Sequence, residues 1–223
     1  MIRETFETKK ETVVSIQDAY NRWSATYDLD RNLTRDLDEA VTRQTLANLR
    51  CQSILELAGG TGKNTGLLAE LGQRVYALDF SEGMLNKAKA KLPSGNVIFG
   101  VADISAPWPC KNQSIDLIVC NLVLEHIADL PFVFAEAFRT LIHGGRFFIC
   151  ELHPFRQYQG TQAQFQDQQG RTEIPAFVHH LSDYIHAANT NSLTLESLNE
   201  WWHEDDRDKP PKLLSLMLMK SRR

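Results

Sequence analysis

The sequence predicts an α/β protein. Its doubly wound, mostly parallel sheet has seven strands, helices on both faces, an antiparallel edge strand near the C-terminus and a helical cap at the N-terminus. Three observations predict it. From residue 53 onward, strand-like and helix-like patterns alternate, as βαβ units require. Runs such as LIVC (117–120) and FFIC (147–150) are apolar throughout, which suits strands covered on both faces. The run SILELA (53–58) breaks into Gly59, Gly60 and Gly62 and passes at once into helical KNTGLLAEL, a strand–turn–helix unit that brings bare backbone to a helix N-terminus.

The elements follow in order. Residues 11 to 28 place Val13, Ile16, Tyr20, Trp23 and Tyr27 on one helical face. A second helix follows Thr34, its expected cap. After SILELA, a helix runs to about Leu71, with Gly72 as its C-cap. RVYALD (74–79) is the next strand. Ser81 caps a helix with a Met84, Ala88, Leu92 stripe, stopped by Pro93. NVIFGVAD (96–103) and IDLIVCNLV (115–123) are strands three and four. A helix from about Pro131 to Ile142 ends at Gly144-Gly145, and RFFICEL (146–152) is strand five. A hairpin turning about Gln169-Gly170, a helix near 182–190, a strand near 193–198 and the run LLSLMLM (213–219) complete the sheet as an antiparallel pair. The chain thus divides into a cap (about 1–50), a core (53–152), a hairpin over a pocket (155–180) and final edge elements (181–220), all in one domain.

Composition narrows the function. The 223 residues carry a formal charge of −4 and no block of five or more basic residues, so no nucleic-acid surface is expected. Cys51, Cys110, Cys120 and Cys150 form no C-x-x-C pair, and three lie in or beside apolar runs, as reduced cysteines do. The N-terminal MIRETFETKKET has no apolar core, and no apolar run reaches the ~18 residues a membrane span needs. The expectation is a soluble, cytoplasmic protein without membrane insertion, monomeric or homodimeric.

The glycine turn restricts the ligand. Reading G-x-G-x-x-G from Gly60 puts Thr65 where glycine is required, and starting at position 58 meets Ala58 and Lys63. A Walker A reading anchored on Gly62-Lys63 finds Leu57 and Asn64 at its other key positions. A nucleoside ligand without a phosphate cradle remains. In open α/β sheets ligands bind outside the carboxyl ends of the strands, and the polar residues at those ends form one set. Asp79 can accept from both ribose hydroxyls, and Asp103 from an adenine amino group, with the Ile104 N–H serving a ring nitrogen. Asn121 and Leu122 end strand four, followed by Glu125-His126. Arg35 can act as a carboxylate clamp.

Taken together, ELAGGTGKNTGLLAELG, ALDFSEGML, VADI and NLVLEHI resemble the class I S-adenosylmethionine-dependent methyltransferases, with their Rossmann-like fold. The likeness is nearest to the branch of quinone-biosynthesis and small-molecule enzymes. AYNRWSATYD resembles that branch's N-terminal helix and HHLSDYIHAA its late segment, so the likeness spans roughly residues 18 to 220. The resemblance implies S-adenosyl-L-methionine as cofactor and S-adenosyl-L-homocysteine as product. It places Gly59, Gly60 and Gly62, with Ala58, Asn64 and Thr65, at the methionine part, and Asp79 on the ribose. Phe80 and Met84 lie beside the adenosine, and Ala102, Asp103 and Ile104 at the adenine. Asn121 lies under the methionine chain with Leu122 beside the cofactor, and Tyr20 and Tyr27 close over the cofactor from the N-terminal helix. The family usually has Gly-Cys where this chain has Ala58 and Gly59. With a negative φ, Ala58 adds only slight crowding.

No nucleophile or triad pattern is visible, and methyl transfer from a sulfonium needs chiefly alignment and water exclusion. His126, His153 and His179 are candidate general bases, none assigned. Asp205-Asp206 beside His203 read as a solvated turn rather than a metal site. The acceptor pocket is expected among Tyr20, Trp23, His126, His153, Phe155, Arg156, Phe165 and Phe177, which suits a small planar acceptor, neutral or anionic, methylated on oxygen, nitrogen or carbon. The alternatives are a non-catalytic binder of the same cofactor, a nicotinamide-dependent oxidoreductase and, disfavoured by the acidic balance, a nucleic-acid or protein methyltransferase.

Overall fold

The computed structural model describes residues 15–29, 31–92, 95–167 and 170–221. Val13, Pro93 and the hairpin tip at Gln169 lie outside them. Strands β1 (Cys51–Leu57), β2 (Gly72–Asp79), β3 (Val97–Val101), β4 (Ile115–Asn121) and β5 (Leu141–Leu152) run parallel to one another. A separate antiparallel hairpin, β6 (Gln164–Asp167) and β7 (Gly170–Glu173), precedes the last two strands, β8 (Leu193–Trp201) and β9 (Leu213–Lys220). The main sheet has seven strands in the order β3-β2-β1-β4-β5-β9-β8. The order reverses direction between β1 and β4, which opens a crevice at their carboxyl ends.

The helices are α1 (Ile16–Trp23), α2 (Leu33–Leu46), α3 (Thr65–Leu71), α4 (Glu82–Lys91), α5 (Leu130–Thr140), α6 (Pro154–Tyr158) and α7 (Leu181–Thr190). Alternation along β4 divides the core between the two sheet faces. Ile118 and Cys120 meet Val133, Phe134 and Ala137 of α5 and Tyr184 and Ala187 of α7. Leu117 and Val119 meet Val41 and Leu46 of α2 and Leu67 and Leu68 of α3. Burial of each large side chain contributes roughly 1.5–3 kcal/mol, so the apolar runs dictate the layered arrangement. Helix α2 is therefore part of the core layer as well as part of the cap.

Several boundaries differ from expectation, each for a local reason. Helix α1 ends at Trp23, and Tyr27 sits in the turns beyond it. Asn32, not Thr34, caps α2, its Oδ1 accepting from the N–H groups of Thr34 (3.0 Å) and Arg35 (3.1 Å). Gly72 is extended (φ −108°) and opens β2, so it is no left-handed cap. A Cβ there would lie 2.8 Å from Ile54 Cδ1, so close strand packing is what glycine serves. Helix α5 stops at Thr140 because Leu141 is already extended, and β5 begins there rather than at Arg146. Gly144 and Gly145 lie in an irregular stretch of that strand, where residues 142–145 face Asp116 alone. The antiparallel pair expected at the sheet's end is present, with β9 antiparallel to β5 and β8 pairing with it as the edge strand.

Candidate active site

The site grows from the end of β1. Ala58, Gly60 and Gly62 all have positive φ (54°, 55° and 83°), so the chain doubles back sharply before α3. Asp79, at the end of β2 and only 4% exposed, secures the turn. Its Oδ2 accepts from Gly60 N (2.9 Å) and its Oδ1 from Ser81 N (2.8 Å), tying the turn to the start of α4. Each carboxylate oxygen keeps further acceptor capacity. Burial raises the Asp79 carboxyl, and these two N–H groups oppose the rise. Gly59 leaves room for Glu56, whose Oε2 would stand 3.0 Å from a Cβ there.

Ala58 reverses the expectation set for it. Its φ of 54° places an alanine in the left-handed region, where a Cβ costs about 1–2 kcal/mol. Ala58→Gly is expected to stabilise the protein by about 1 kcal/mol net of glycine's larger folding entropy. A raised midpoint in urea at unchanged slope would show it; a lowered midpoint would contradict the strain.

Helix α1 closes the crevice from above. Gly83 at the start of α4 has no room for a Cβ, which would lie 2.7 Å from Ser24 Oγ. Asn21 Oδ1 accepts from Ser81 Oγ (2.7 Å) and Gly83 N (3.2 Å), and Gln17 Nε2 donates to Phe80 O (2.6 Å). Asp28 then reaches the glycine turn, accepting from Thr61 Oγ1 at 2.7 Å and pairing with Lys91 at 2.7 Å. The result is a cleft of about 370 Å³. Tyr20, Tyr27 and Arg35 line its cap side. Ala58, Gly59, Gly60 and Asn64 line the turn, Asp79, Phe80 and Met84 the β2 end, and Ala102, Asp103 and Ile104 the β3 end. Asn121, Leu122 and His126 complete it from β4 and the following 3-10 turn, Leu124–His126. Asp103 stands exposed at the rim, its Oδ1 accepting from Ser105 N (2.8 Å) and Oγ (2.7 Å).

Two expected members do not line the cleft. Gly62 faces α4, where a Cβ would meet Ala88 Cβ at 3.1 Å. Thr65 is buried beneath the turn, donating from Oγ1 to Glu56 Oε2 at 2.6 Å. Both shape the turn from behind.

Sequence reasoning missed the acids of the floor. Asp38 of α2, 4% exposed, accepts from Asn64 Nδ2 (2.8 Å) and Asn121 Nδ2 (2.7 Å), and Asn121 Nδ2 also reaches Thr42 Oγ1 (2.7 Å). The amide oxygens of Asn64 and Asn121 are buried without a partner. Burial pushes Asp38 up to about 6 and Glu56 up to about 8, the hydrogen bonds only partly opposing it. Glu56 was readable as a strand-end acid; Asp38, on a helix 26 residues before Asn64, gave no pattern to read. Glu151 of β5 was likewise missed. Its Oε1 accepts from Val123 N and Leu124 N (3.0 Å each), bracing the turn that Leu122 begins with a φ of 53°.

A second chamber of about 250 Å³ shares Tyr20, Tyr27, Arg35 and Leu122 with the cleft. Trp23, Asn32, Thr34, Glu125, Gln162 and Gln164 also line it. The Trp23 indole N–H is buried without a partner. The aromatic cluster expected around the acceptor is not gathered here. Phe165 stacks behind Trp23 (ring centroids 5.3 Å), while Phe155 and Phe177 are exposed elsewhere. Arg156 donates to the carbonyls of Pro210 (2.7 Å) and Pro211 (3.3 Å). His153 caps α6, and its Nε2 donates to Glu200 Oε1 (2.9 Å); His179 donates from Nε2 to Ile127 O (2.7 Å). Neither lines either cavity, which leaves His126 of the three. His203 caps a short 3-10 turn, Glu204–Asp206, its Nδ1 accepting from Asp205 N (3.2 Å).

The family described as "Methyltransferase domain" matches residues 55–149, the segment that carries the glycine turn, Asp79, Asp103 and Asn121. Residues 55–149 thus carry a methyltransferase domain. Relatives in this family include malonyl-[acyl-carrier protein] O-methyltransferase 2 of Coxiella burnetii, 35% identical over 130 residues (56% of this chain, 52% of that one). The demethylmenaquinone methyltransferase of Clavibacter sepedonicus is 29% identical over 136 residues (61% of this chain, 54% of that one). The chain thus spans about half the length of these curated relatives. The fold matches the N-methyltransferase NodS of Bradyrhizobium japonicum, solved with S-adenosyl-L-homocysteine, at a TM-score of 0.71 and 16% identity over 94% of this chain and all of that one. Among the described residues no helix is long and apolar enough to cross a membrane.

Proposed function

We propose that the chain transfers the methyl group of S-adenosyl-L-methionine to a small molecule seated in the second chamber, releasing S-adenosyl-L-homocysteine. The observation that carries this reading is that Tyr20, Tyr27, Arg35 and Leu122 line both cavities, which sets a donor site and an acceptor site side by side. When bound, the cofactor supplies a methyl group on a positively charged sulfur. The protein's part is to align the acceptor behind that methyl and to exclude water.

The donor set supports the cofactor. The partnerless amide oxygens of Asn64 and Asn121, beside the Asp38 carboxyl, suit an ammonium group such as the amino-acid end of the cofactor carries. Asp79 retains acceptor capacity for ribose hydroxyls, Phe80, Met84 and Ile104 offer apolar surface to a purine, and Asp103 stands ready for its amino group. Arg35, held over the Tyr27 ring at 4.1 Å, is the cation for a carboxylate. In the second chamber Trp23, Tyr20 and Tyr27 give flat walls, and Gln162, Gln164 and Glu125 add polar groups, which fits a planar acceptor with a polar head. The mild acidic balance and four unpaired cysteines fit a small-molecule enzyme of the reducing cytoplasm, monomeric or homodimeric.

The test is calorimetric titration with S-adenosyl-L-homocysteine, followed by a screen for its release from S-adenosyl-L-methionine with quinones, phenols, amines and carboxylic acids. Binding together with release on at least one acceptor is the expected result. Binding with no release on any of them would favour a non-catalytic binder, and tighter binding of NADH would favour an oxidoreductase.

A further inference from the structure

The Tyr20 hydroxyl, on the shared wall of the two cavities, lies 2.9 Å from His126 Nε2. The other ring nitrogen, Nδ1, is 2.8 Å from the Pro175 carbonyl oxygen. A carbonyl only accepts, so Nδ1 carries the proton and donates. In the neutral ring Nε2 is then the acceptor, and Tyr20 O–H donates to it. A hydroxyl that gives its proton to a base still has lone pairs to accept a second hydrogen bond. Those lone pairs belong to a residue that lines both the donor's cleft and the acceptor's chamber.

We propose that Tyr20 and His126 form a proton relay for methyl transfer, Tyr20 as the catalytic residue touching the acceptor and His126 as the terminal base, and that the acceptor is a neutral hydroxyl compound. The inference rests on the methyl-transfer reading above. The bond formed joins the acceptor oxygen to the methyl carbon, and the bond broken is that between carbon and sulfur, whose electron pair stays on sulfur. The acceptor's proton passes to the Tyr20 oxygen and the Tyr20 proton to His126 Nε2. Positive charge therefore moves from the sulfonium to an imidazolium, and no external oxidant or reductant enters. Glu125 Oε1 lies 3.7 Å from Nε2, placed to stabilise that imidazolium.

The surroundings hold the pair in the required forms. Burial lowers His126 from its ordinary value, so the ring is the neutral acceptor near pH 7. Burial foremost, then Tyr27, Glu125, Asp79 and Glu151, raise Tyr20 well above a free phenol, so it relays a proton without resting as phenolate. Glu125, from the same 3-10 turn, is itself raised to about 7 by burial, and His179 turns its Nε2 to the Ile127 carbonyl and not to His126. An acceptor that arrives already ionised, such as a carboxylate, has no need of this relay.

Two readouts test it. Side-chain nitrogen NMR of histidine-labelled protein at pH 7 should show His126 neutral with its proton on Nδ1, and Tyr20→Phe should shift Nε2. A protonated ring at that pH, or a proton on Nε2, overturns the relay without touching the cofactor reading. In kinetics at saturating donor, Tyr20→Phe and His126→Gln should each slow transfer to hydroxyl acceptors by about 100-fold or more. Their effect on any carboxylate acceptor should be at least about tenfold smaller, and His126→Gln should lose the acid limb of the pH profile. Thermal melts and calorimetry with S-adenosyl-L-homocysteine establish that the variants are folded and bind. Turnover confined to carboxylates, amines or carbon acids, or equal losses across acceptor classes, overturns the proposal. Failure of wild-type protein to bind the cofactor would instead overturn the reading beneath it.

Discussion

Asp79→Ala is expected to weaken S-adenosyl-L-homocysteine binding by at least about 100-fold. Hydrogen bonds to charged groups are worth ~1.5–3 kcal/mol each, and a carboxylate that takes two ribose hydroxyls loses both at once. At ~1.4 kcal/mol per tenfold in affinity, 100-fold is the lower end. The same substitution removes the partner of the Gly60 and Ser81 N–H groups, so the glycine turn and the start of α4 lose their common anchor. Each buried donor left unpaired costs about 1–3 kcal/mol, and a lower unfolding midpoint should accompany the lost affinity. Asp79→Asn keeps one acceptor oxygen and should fall between wild type and alanine. Calorimetric titration on variants shown by circular dichroism to be folded measures the effect. Affinity within threefold of wild type in Asp79→Ala would remove Asp79 from the cofactor site.

The second large effect is on stability against pH. Glu56 is 3% exposed, and burial raises its carboxyl to about 8, the Thr65 hydroxyl only partly opposing this. In the unfolded chain Glu56 titrates near the ordinary glutamate value of 4.5. Between those two values the folded protein binds the extra proton, so stability falls as pH rises. The contribution is fully present below about 4.5 and lost as pH passes about 8. At ~1.4 kcal/mol per pH unit, that interval amounts to something on the order of 5 kcal/mol. Asp38, raised to about 6, and Glu151, raised well above its ordinary value, add slopes of the same sign. Urea unfolding of the ligand-free protein at pH 5, 7 and 9 should show the decline, and Glu56→Gln should flatten it and be the more stable protein at pH 9. A pH-independent wild type, or an unchanged slope in Glu56→Gln, would show that Glu56 ionises normally in its buried place.

These acids mark the boundary of what the sequence made legible. Asp79 and Asp103 could be found because each sits at the end of a recognisable strand, and strand ends share one rim of the sheet. His126 could be narrowed only to one of three candidates, because a histidine after a strand looks alike whether it meets a tyrosine, a glutamate or a carbonyl. The fold placed Glu200 beside His153 and the Ile127 carbonyl beside His179, and gave Tyr20 to His126. The expected aromatic acceptor pocket failed similarly. Phe155, Phe165 and Phe177 lie close in sequence to the hairpin, but only Phe165 turns inward, and it backs Trp23. Helix ends were misplaced where the deciding contact is distant, as at Gly72, whose missing side chain makes room for Ile54.

By itself the sequence determined the layered α/β architecture, the glycine turn and the kind of nucleoside it receives. Each of these depends on local periodicity and on residues at fixed spacings along the chain. Only the tertiary structure decided the rest. It showed Ala58 in a strained left-handed conformation, brought Asp38 of α2 between Asn64 and Asn121, and set Tyr20 against His126. The last two depend on groups 26, 83 and 106 residues apart meeting within hydrogen-bond distance. The physical reason is that periodicity specifies which face of an element is buried, while the partner on the other side is chosen by how whole elements pack.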